Sequence, residues 1–186
     1  EGVFVLNVSN DGKMQFGASC DRLANAGFDI KPVTAMLDFE DIFARHNLIV
    51  AAEAANVHED WFASYPNKYH PKTAELILIG QLVSAHDLNV SLECRSMLRN
   101  ELTELMDRDQ IDLWISPSAP GVAPHGLDST GDPVMNLPWT HSGLPTIGMP
   151  SGKNADRLPF GLQLTGRFGE DETLFLLASQ IESVLI

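Results

Sequence analysis

The chain has 186 residues, 44% of them hydrophobic, which is enough apolar material for a packed core and too much for a disordered chain. Its 25 acidic residues outnumber its 12 basic ones, for a formal net charge of -13 at pH 7. Nucleic acids and anionic membranes are bound through clustered Lys and Arg, so neither is expected as a partner.

The cysteines and histidines predict no metal site. Cys20 and Cys94 are far apart in the chain, and the six histidines are scattered. We expect both cysteines to be reduced, which favours the cytoplasm, although the sequence leaves a pairing open. No G-x-G-x-x-G motif occurs, and no cofactor is expected. No apolar run approaches the ~18 residues of a membrane span, and no signal segment is present. The chain begins at Glu1 and not at Met, which suggests processing or truncation.

The first part of the chain predicts a strand, a helix and a second strand. Residues 2–8 alternate loosely as in a strand, and residues 10–12 (Asn-Asp-Gly) are typical of a turn. Residues 13–26 have helical spacing and end before Gly27, a suitable C-cap. Residues 28–33 predict the second strand, and this order favours a parallel pair of strands.

Three helices are predicted next. A long helix begins at Asp38, ends near residues 65–67 and has one apolar face; that face comprises Phe39, Ile42, Phe43, His46, Ile49, Val50, Ala54, Val57 and Trp61. Pro71 suits the first turn of a short helix that Gly80 closes. Residues 84–87 (Ser-Ala-His-Asp) resemble a capping box and open a helix that runs to about Asp107.

The last third of the chain has a different sequence pattern. Residues 112–116 predict a short buried strand, and a Pro- and Gly-rich loop follows from 117 to 138. Residues 146–149 and 160–165 predict two more strands. Acidic residues 170–172 open a final helix whose apolar stripe comprises Leu174, Leu177, Ile181 and Leu185. The predicted fold class is therefore α/β, with a mixed β-sheet flanked by helices.

Three motifs that could carry chemistry are incomplete. Ser118, His125 and Asp132 lie in one loop, but a catalytic triad is defined by geometry, and nothing in the sequence supplies it. Residues 58–62 begin like a zinc-binding helix, yet position 62 is Phe where a second His is required. Residues 151–153 (Ser-Gly-Lys) resemble the end of a phosphate-binding loop, but the upstream glycine that such a loop requires is missing.

Glu53 falls on or beside the apolar face of the long helix. A carboxylate buried there must be paired or hydrogen-bonded. One interpretation is a site acid with a raised pKa. The other is a buried ion pair, with Arg95 or Arg167 as partner, or a cap for a neighbouring loop.

The stretch from Asp112 to Leu177 resembles the C-terminal region of the amidase-signature family. The matching pieces occur in order; they are residues 112–124, residues 130–140 with Thr-Gly-Asp-Pro and Asn-Leu-Pro-Trp-Thr, residues 143–152 with Gly-Leu-Pro and Met-Pro-Ser-Gly, and residues 158–167 with Leu-Pro-Phe-Gly-Leu-Gln-Leu. The upstream helices fit more loosely, so the resemblance spans nearly the whole chain.

The resemblance implies an enzyme that hydrolyses amide C–N bonds with a Ser–cis-Ser–Lys triad and an acyl-enzyme intermediate. Members of the family carry this triad in a Gly- and Ser-rich segment and an upstream lysine strand. Neither occurs in this chain, so no catalytic residue is assigned in it. Residues 1–186 are thus predicted to be the C-terminal portion of an amidase-signature domain, with a partial fold and no activity alone.

The substrate, a small-molecule amide, is expected to contact one wall of a pocket supplied by this chain. The candidates are Asn136, Trp139, Thr140 and His141, with Tyr69 and Trp61 further back. The alternative is that Asn136 and Thr140 satisfy the loop backbone and that Trp139 belongs to the core.

Two other functions are kept open. The glutamine-using amidotransferase branch of the family has arginines shortly before the glycine that matches Gly80, where this chain has Glu75 and Leu76. This departure favours a general amidase over an A-type subunit of an amidotransferase. The third candidate is a non-catalytic module that binds a small ligand or a partner. Apolar surface left uncovered would also promote self-association, so a homo-oligomer is expected.

Overall fold

The computed structural model of the protein describes residues 6–185, which form an α/β structure with a small sheet flanked by helices. Its elements in chain order are α1 (Asn10–Asn25), α2 (Phe39–Val57), α3 (Glu59–Ser64), α4 (Pro71–Gly80), α5 (Ala85–Asp109), β1 (Trp114–Pro117), α6 (Leu137–Ser142), β2 (Thr146–Lys153), β3 (Pro159–Thr165) and α7 (Asp171–Leu185). Two short 3-10 helices, Pro66–Lys68 and Pro133–Met135, precede α4 and α6. The predicted α/β class is confirmed.

The chain divides into two compact units. The first unit comprises the described residues up to 39 together with those from 98 onward, and it holds the sheet. The second unit comprises residues 40–97 and is entirely helical in its regular structure. Helix α5 begins in the second unit and ends in the first.

The sheet of the first unit has the order β1-β3-β2, with both pairs antiparallel. Leu164 of the central strand lies opposite Ile115 on one side and Ile147 on the other. Strand β2 continues past Pro150 to Lys153, although the sequence predicted its end at Met149. The register shifts between Pro150 and Gly152, because a proline has no N–H for the ladder and is accommodated at such an irregularity.

One face of the sheet forms the core of the first unit with helices α1 and α7. The buried members of this cluster are Leu23, Met149, Leu162, Leu164, Leu174, Ala178, Ile181 and Leu185. Burial of each leucine contributes about 1.5–3 kcal/mol relative to exposure, so this cluster is the main stabilising feature of the unit. The predicted apolar stripe of the last helix is confirmed, with Leu177 half-buried beside the fully buried members.

The opposite face of the sheet is polar and is also buried. Ser116 lies opposite Gln163, and both residues are shielded from solvent, as is Thr165. A strand with alternating polar and apolar residues usually keeps its polar face in water. Here the residues that follow Asp132 cover that face, and the Gln163 side chain donates a long hydrogen bond of 3.5 Å to the carbonyl of Met135.

The start of helix α1 differs from the prediction. Residues 2–5 of the predicted first strand lie outside the described residues, and residues 6–8 are not in a strand. Residues 10–12, predicted as a turn, form the first helical turn instead. Ser9 caps this turn, since its hydroxyl accepts a hydrogen bond from the Gly12 N–H at 3.1 Å, while the Ser9 N–H donates to the Pro120 carbonyl at 2.7 Å. This tertiary contact fixes where the helix begins.

The prediction of a second strand at residues 28–33, and of a parallel strand pair, was wrong. These residues have no regular structure, and all strand pairs of the described sheet are antiparallel. Phe28 and Ile30 instead pack individually against the core cluster, and Lys31 donates to the Asp109 carbonyl at 3.0 Å. A short apolar run has a weak intrinsic preference for a strand, and packing overrides it here.

The second unit confirms the predicted helices with one change. The long helix breaks at His58, so residues 59–64 form the separate helix α3. Pro71 occupies the first turn of α4, as predicted, and the His70 side chain caps it by accepting from the Lys72 N–H. Gly80 ends α4 in direct contact with the Ala51 backbone of α2.

The predicted cap of helix α5 is confirmed. The Ser84 hydroxyl accepts from the Asp87 N–H at 3.1 Å and donates to the Asp87 carboxylate at 2.7 Å. This satisfies one of the N–H groups that a helix start leaves without a partner. The helix extends to Asp109, two residues beyond its predicted end.

Glu53 is not buried in the second unit. Its side chain is exposed, so both interpretations that assumed a buried carboxylate are wrong for the described chain. The salt bridges among residues 6–185 do not include it, and Arg167 pairs instead with Asp107 at 2.7 Å. Its position beside the apolar stripe still leaves the carboxylate in water, which removes the need for a partner.

Among the described residues, no helix combines the length and the apolar character that crossing a bilayer would require.

Candidate functional site

Four of the six candidate pocket residues lie in one short segment of the first unit, residues 132–143. The Asp132 carboxylate opens it by accepting from the Val134 N–H at 2.9 Å, which caps the 3-10 helix Pro133–Met135. Helix α6 follows directly, with Pro138 in its first turn. Gly143 ends it in the left-handed conformation, with φ of 72°, and its N–H donates to the Trp139 carbonyl at 2.9 Å.

The sequence predicted residues 132–138 as part of the loop from 117 to 138 and assigned no element to residues 139–143, so helix α6 was missed. Two of its signals were present, because Pro138 lies in its first turn and Gly143 ends it, while Asp132 caps only the preceding 3-10 helix. The six residues of α6 are too few for its periodicity to stand out. An isolated helix of this length is also unstable in water, so it depends on its contacts with the rest of the unit.

Burial divides the segment into a buried side and an exposed side. The buried residues of α6 are Leu137, Pro138, Trp139, His141 and Ser142. Asn136 and Thr140 are exposed. The Thr140 hydroxyl donates to the Asn136 carbonyl at 3.1 Å, which orients the threonine side chain along the helix. Of the candidates, only Asn136 and Thr140 thus present side chains at the surface of this segment.

Trp139 and His141 lie beneath that surface. The Trp139 ring stands 6.4 Å from the ring of Trp114 on β1, at an interplanar angle of 35°. Aromatic pairs at this separation contribute about 0.5–1.5 kcal/mol beyond their area burial. His141 is almost fully buried. The Trp139 side chain therefore supports the segment from the sheet side, and His141 belongs to the buried side of the segment.

Arg99 of helix α5 holds the end of α6. Its Nε donates to the Ser142 carbonyl at 2.7 Å, and its guanidinium carbon lies 3.7 Å from the centre of the Phe168 ring. Sequence reasoning missed Arg99, because an arginine on a helix resembles any solvated basic residue until its neighbours are known.

Tyr69, the fifth candidate, lies in the second unit. Its hydroxyl is 2.9 Å from Nδ1 of His58, and its ring meets the Phe62 ring edge-on at 5.2 Å. Trp61 lies in the same aromatic group, with its ring 5.8 Å from His58, and is largely exposed. His58 thus takes part in an aromatic cluster, and the resemblance of residues 58–62 to a zinc-binding helix has no counterpart here.

Burial shifts the pKa of one titratable side chain on α2 and of one on α1. Burial lowers the pKa of His46, the positive charge of Arg95 lowers it further, and Glu53 opposes both. Burial also raises the pKa of the Cys20 thiol, with the charge of Asp21 adding to the effect. His46 is half-buried on α2, and the sequence placed it on the apolar face of that helix.

The three-residue loop triad does not form. Asp132 uses its carboxylate as a helix cap, the Ser118 N–H donates to the Gly161 carbonyl, and His125 is exposed. Within residues 6–185, no group of three or more His, Cys, Asp or Glu side chains is arranged to hold a metal ion.

Comparisons with known proteins agree with this architecture. The model of the family described as Amidase matches residues 4–175. The A-type subunit of glutamyl-tRNA(Gln) amidotransferase from Methylocella silvestris is 43% identical over 82 residues, which cover 40% of this chain and 17% of that protein. Its counterpart from Wolinella succinogenes is 33% identical over 137 residues, which cover 66% of this chain and 30% of that protein.

A solved structure described as an amidase superposes with a TM-score of 0.85 at 23% identity, covering 97% of this chain and 43% of that chain. The chain belongs to the amidase family. It spans less than a third of the length of these two curated relatives and less than half of that solved structure.

Proposed function

We propose that this chain is the C-terminal part of an amidase that hydrolyses amide C–N bonds through an acyl-serine intermediate. The family match across residues 4–175 carries the proposal, because it covers the second unit, most of the first and the whole of segment 132–143. The proposed enzyme acts in the cytoplasm, in keeping with the free thiols of Cys20 and Cys94.

In this proposal the catalytic serines and the lysine come from outside these 186 residues. The attacking serine forms an ester with the acyl group of the substrate, and the amine departs with a proton delivered by the lysine and the second serine. Water then hydrolyses the ester. The present chain contributes no group to these bond changes, and on its own it is inactive.

The contribution of this chain is one wall of the substrate pocket. Asn136 offers an amide that can both donate and accept, and Thr140 places a methyl and a hydroxyl one helical turn away. Trp139 and His141 act from beneath by holding this surface against the polar face of the sheet. Tyr69 is a separate candidate for contact with the substrate, and its hydroxyl lies 2.9 Å from Nδ1 of His58 within the second unit.

The pocket wall predicts a specific effect of one substitution. Thr140→Val in the complete protein keeps the shape of the side chain and removes its hydroxyl. We expect KM for a small amide to rise by about 5- to 30-fold with little change in kcat, if the hydroxyl binds substrate and transition state alike. Thr130→Val, at an exposed loop position, is the control and should change neither constant. An unchanged KM in Thr140→Val would remove Thr140 from the pocket.

A second candidate function is that of an amidotransferase component. The two curated relatives described above are A-type subunits of such enzymes, which supports it. Glu75 and Leu76 argue against it, because α4 lacks the arginines that would bind an α-carboxylate in the positions before Gly80. An assay for glutamine-dependent ammonia transfer, in the presence of the partner proteins, separates the two functions.

The deciding experiment uses the complete protein isolated from its own cells. Simple aliphatic and aromatic amides are offered with and without hydroxylamine, and mass spectrometry searches for an acyl group on a serine. Ammonia or amine release together with a hydroxamate product supports the amidase. Release only from glutamine and only with the partner proteins supports the amidotransferase. If the complete protein is no larger than this chain and releases neither, it is a non-catalytic binding module.

A further inference from the structure

We propose that Arg99 is a positioning residue for substrate selection, which holds helix α6 by its last carbonyl so that Asn136 and Thr140 keep their orientation. That Arg99 fixes the end of α6 follows from contacts within the first unit. Its consequence for substrate rests on the proposed function.

The first contact is a charged cap on a helix end. The last carbonyls of a helix have no partner within it, and they form the negative end of the helix dipole. Arg99 Nε donates to the Ser142 carbonyl at 2.7 Å, a short charge-assisted hydrogen bond. Because α6 has only six residues and is unstable on its own, a single cap at this end contributes much of the stability of the helix.

The second contact fixes the guanidinium itself. The Phe168 ring lies 3.7 Å from the guanidinium carbon, in the loop that follows β3. A Cβ on Gly143 would stand 3.1 Å from Nη2 of Arg99, so the absence of a side chain there lets the guanidinium lie over the turn. Arg99 thereby ties α5, the end of α6 and the loop after β3 together.

Within residues 6–185, Arg99 forms no ion pair. The salt bridges of residues 6–185 join Lys31, Arg108 and Arg167 to aspartates, and none involves Arg99. A flat guanidinium can donate along its edge while its face lies on a ring, whereas the ammonium of a lysine can donate but cannot stack in this way. Arg99→Lys therefore keeps the positive charge and a hydrogen-bond donor but loses the stacking on Phe168, whereas Arg99→Gln loses the positive charge as well.

The test measures order and substrate binding separately in the complete protein. Hydrogen exchange followed by mass spectrometry reports the amides of residues 137–143, and steady-state kinetics on a small amide report KM and kcat. For Arg99→Gln we expect exchange faster by about 10-fold or more, and a similar rise in KM with kcat within about twofold. Arg99→Lys should restore part of both. Arg108→Gln on the same helix, whose partner Asp109 is its neighbour, should change neither.

Each outcome decides a part of the inference. If residues 137–143 of Arg99→Gln exchange their amide hydrogens at the wild-type rate, Arg99 does not fix the end of α6. Faster exchange with an unchanged KM would overturn the link to substrate, as would an equal loss of kcat in both Arg99 variants. If the wild-type protein hydrolyses no amide, the proposed function fails together with that link, and the exchange measurement alone decides whether Arg99 fixes the end of α6. Should Arg99→Gln not fold, Arg99→Lys carries the same comparison.

Discussion

At Gly80 the second unit leaves no room for a side chain. A Cβ there would overlap the Ala51 carbonyl carbon and oxygen, which belong to the backbone of α2 and cannot rotate away. The sequence predicted Gly80 only as the end of a helix. Its more important role is the close approach of α4 to α2, a property of two segments far apart in the chain that neither segment reveals alone.

We expect Gly80→Ala to lower the free energy of unfolding of the second unit by about 1–3 kcal/mol, because the helices must move apart. Gly17→Ala is the matched control: it lies inside α1 with nothing within 4 Å of the added methyl. Alanine is the better helix former, so this control should gain about 0.5–1 kcal/mol. Urea unfolding of the two variants checks the pair, and similar effects in both would contradict the close approach.

His46 links stability to pH. Burial and Arg95 hold its pKa below the ordinary value of 6.5, so the folded state binds a proton less readily than the unfolded state does. Stability is therefore highest above pH 6.5 and falls as the pH drops from 6.5 toward the lower folded-state pKa. We expect His46→Gln to lose less stability than the wild type between about pH 7.5 and about pH 5.5 in urea unfolding. Parallel pH curves for the two proteins would contradict this.

Among the elements, those with strong local signals were predicted well. Helix α5 begins at the predicted cap and ends two residues beyond the predicted end, because its start depends on two neighbouring side chains. Residues 28–33 and helix α6 were predicted wrongly for the opposite reason. The first has the composition of a strand but no strand to pair with, and the second is too short to form without the sheet, Trp114 and Arg99 around it.

We expect Ser84→Ala to destabilise α5 by about 1 kcal/mol, since the Asp87 N–H and carboxylate both lose their partner. Ser96→Ala, at an exposed position in the interior of the same helix, is the control and should be neutral or slightly stabilising. Thermal unfolding followed by far-UV circular dichroism distinguishes the two. Equal midpoints in both variants would show that the cap does not govern the helix.

For the whole molecule, apolar surface and negative charge act in opposite directions on self-association. Leu78, Ile79 and Leu82 form an exposed apolar stripe at the end of α4, with Leu82 at 87% exposure. Such a stripe promotes association, while a net charge of -13 opposes it at low ionic strength.

We expect the 186-residue chain to associate at high concentration, and more strongly as salt screens its charge. Leu82→Glu should shift the chain toward the monomer in light scattering. Leu127→Glu adds the same charge at a fully exposed leucine outside the stripe and should have a smaller effect. A clean monomer at every salt concentration would contradict the prediction, and equal effects of the two variants would make the change one of charge alone.

The sequence alone determined the helices with periodic apolar faces, the cap of α5, the strands β1 and β3, and the family resemblance that the comparison over residues 4–175 confirmed. These depend on neighbouring residues or on motifs that remain readable in a linear chain. Tertiary contacts decided that residues 28–33 are not a strand, that Glu53 is exposed, and that the polar face of β3 is buried under segment 132–143. Each of these depends on side chains brought together from distant parts of the chain, because burial and pairing are properties of the packed fold.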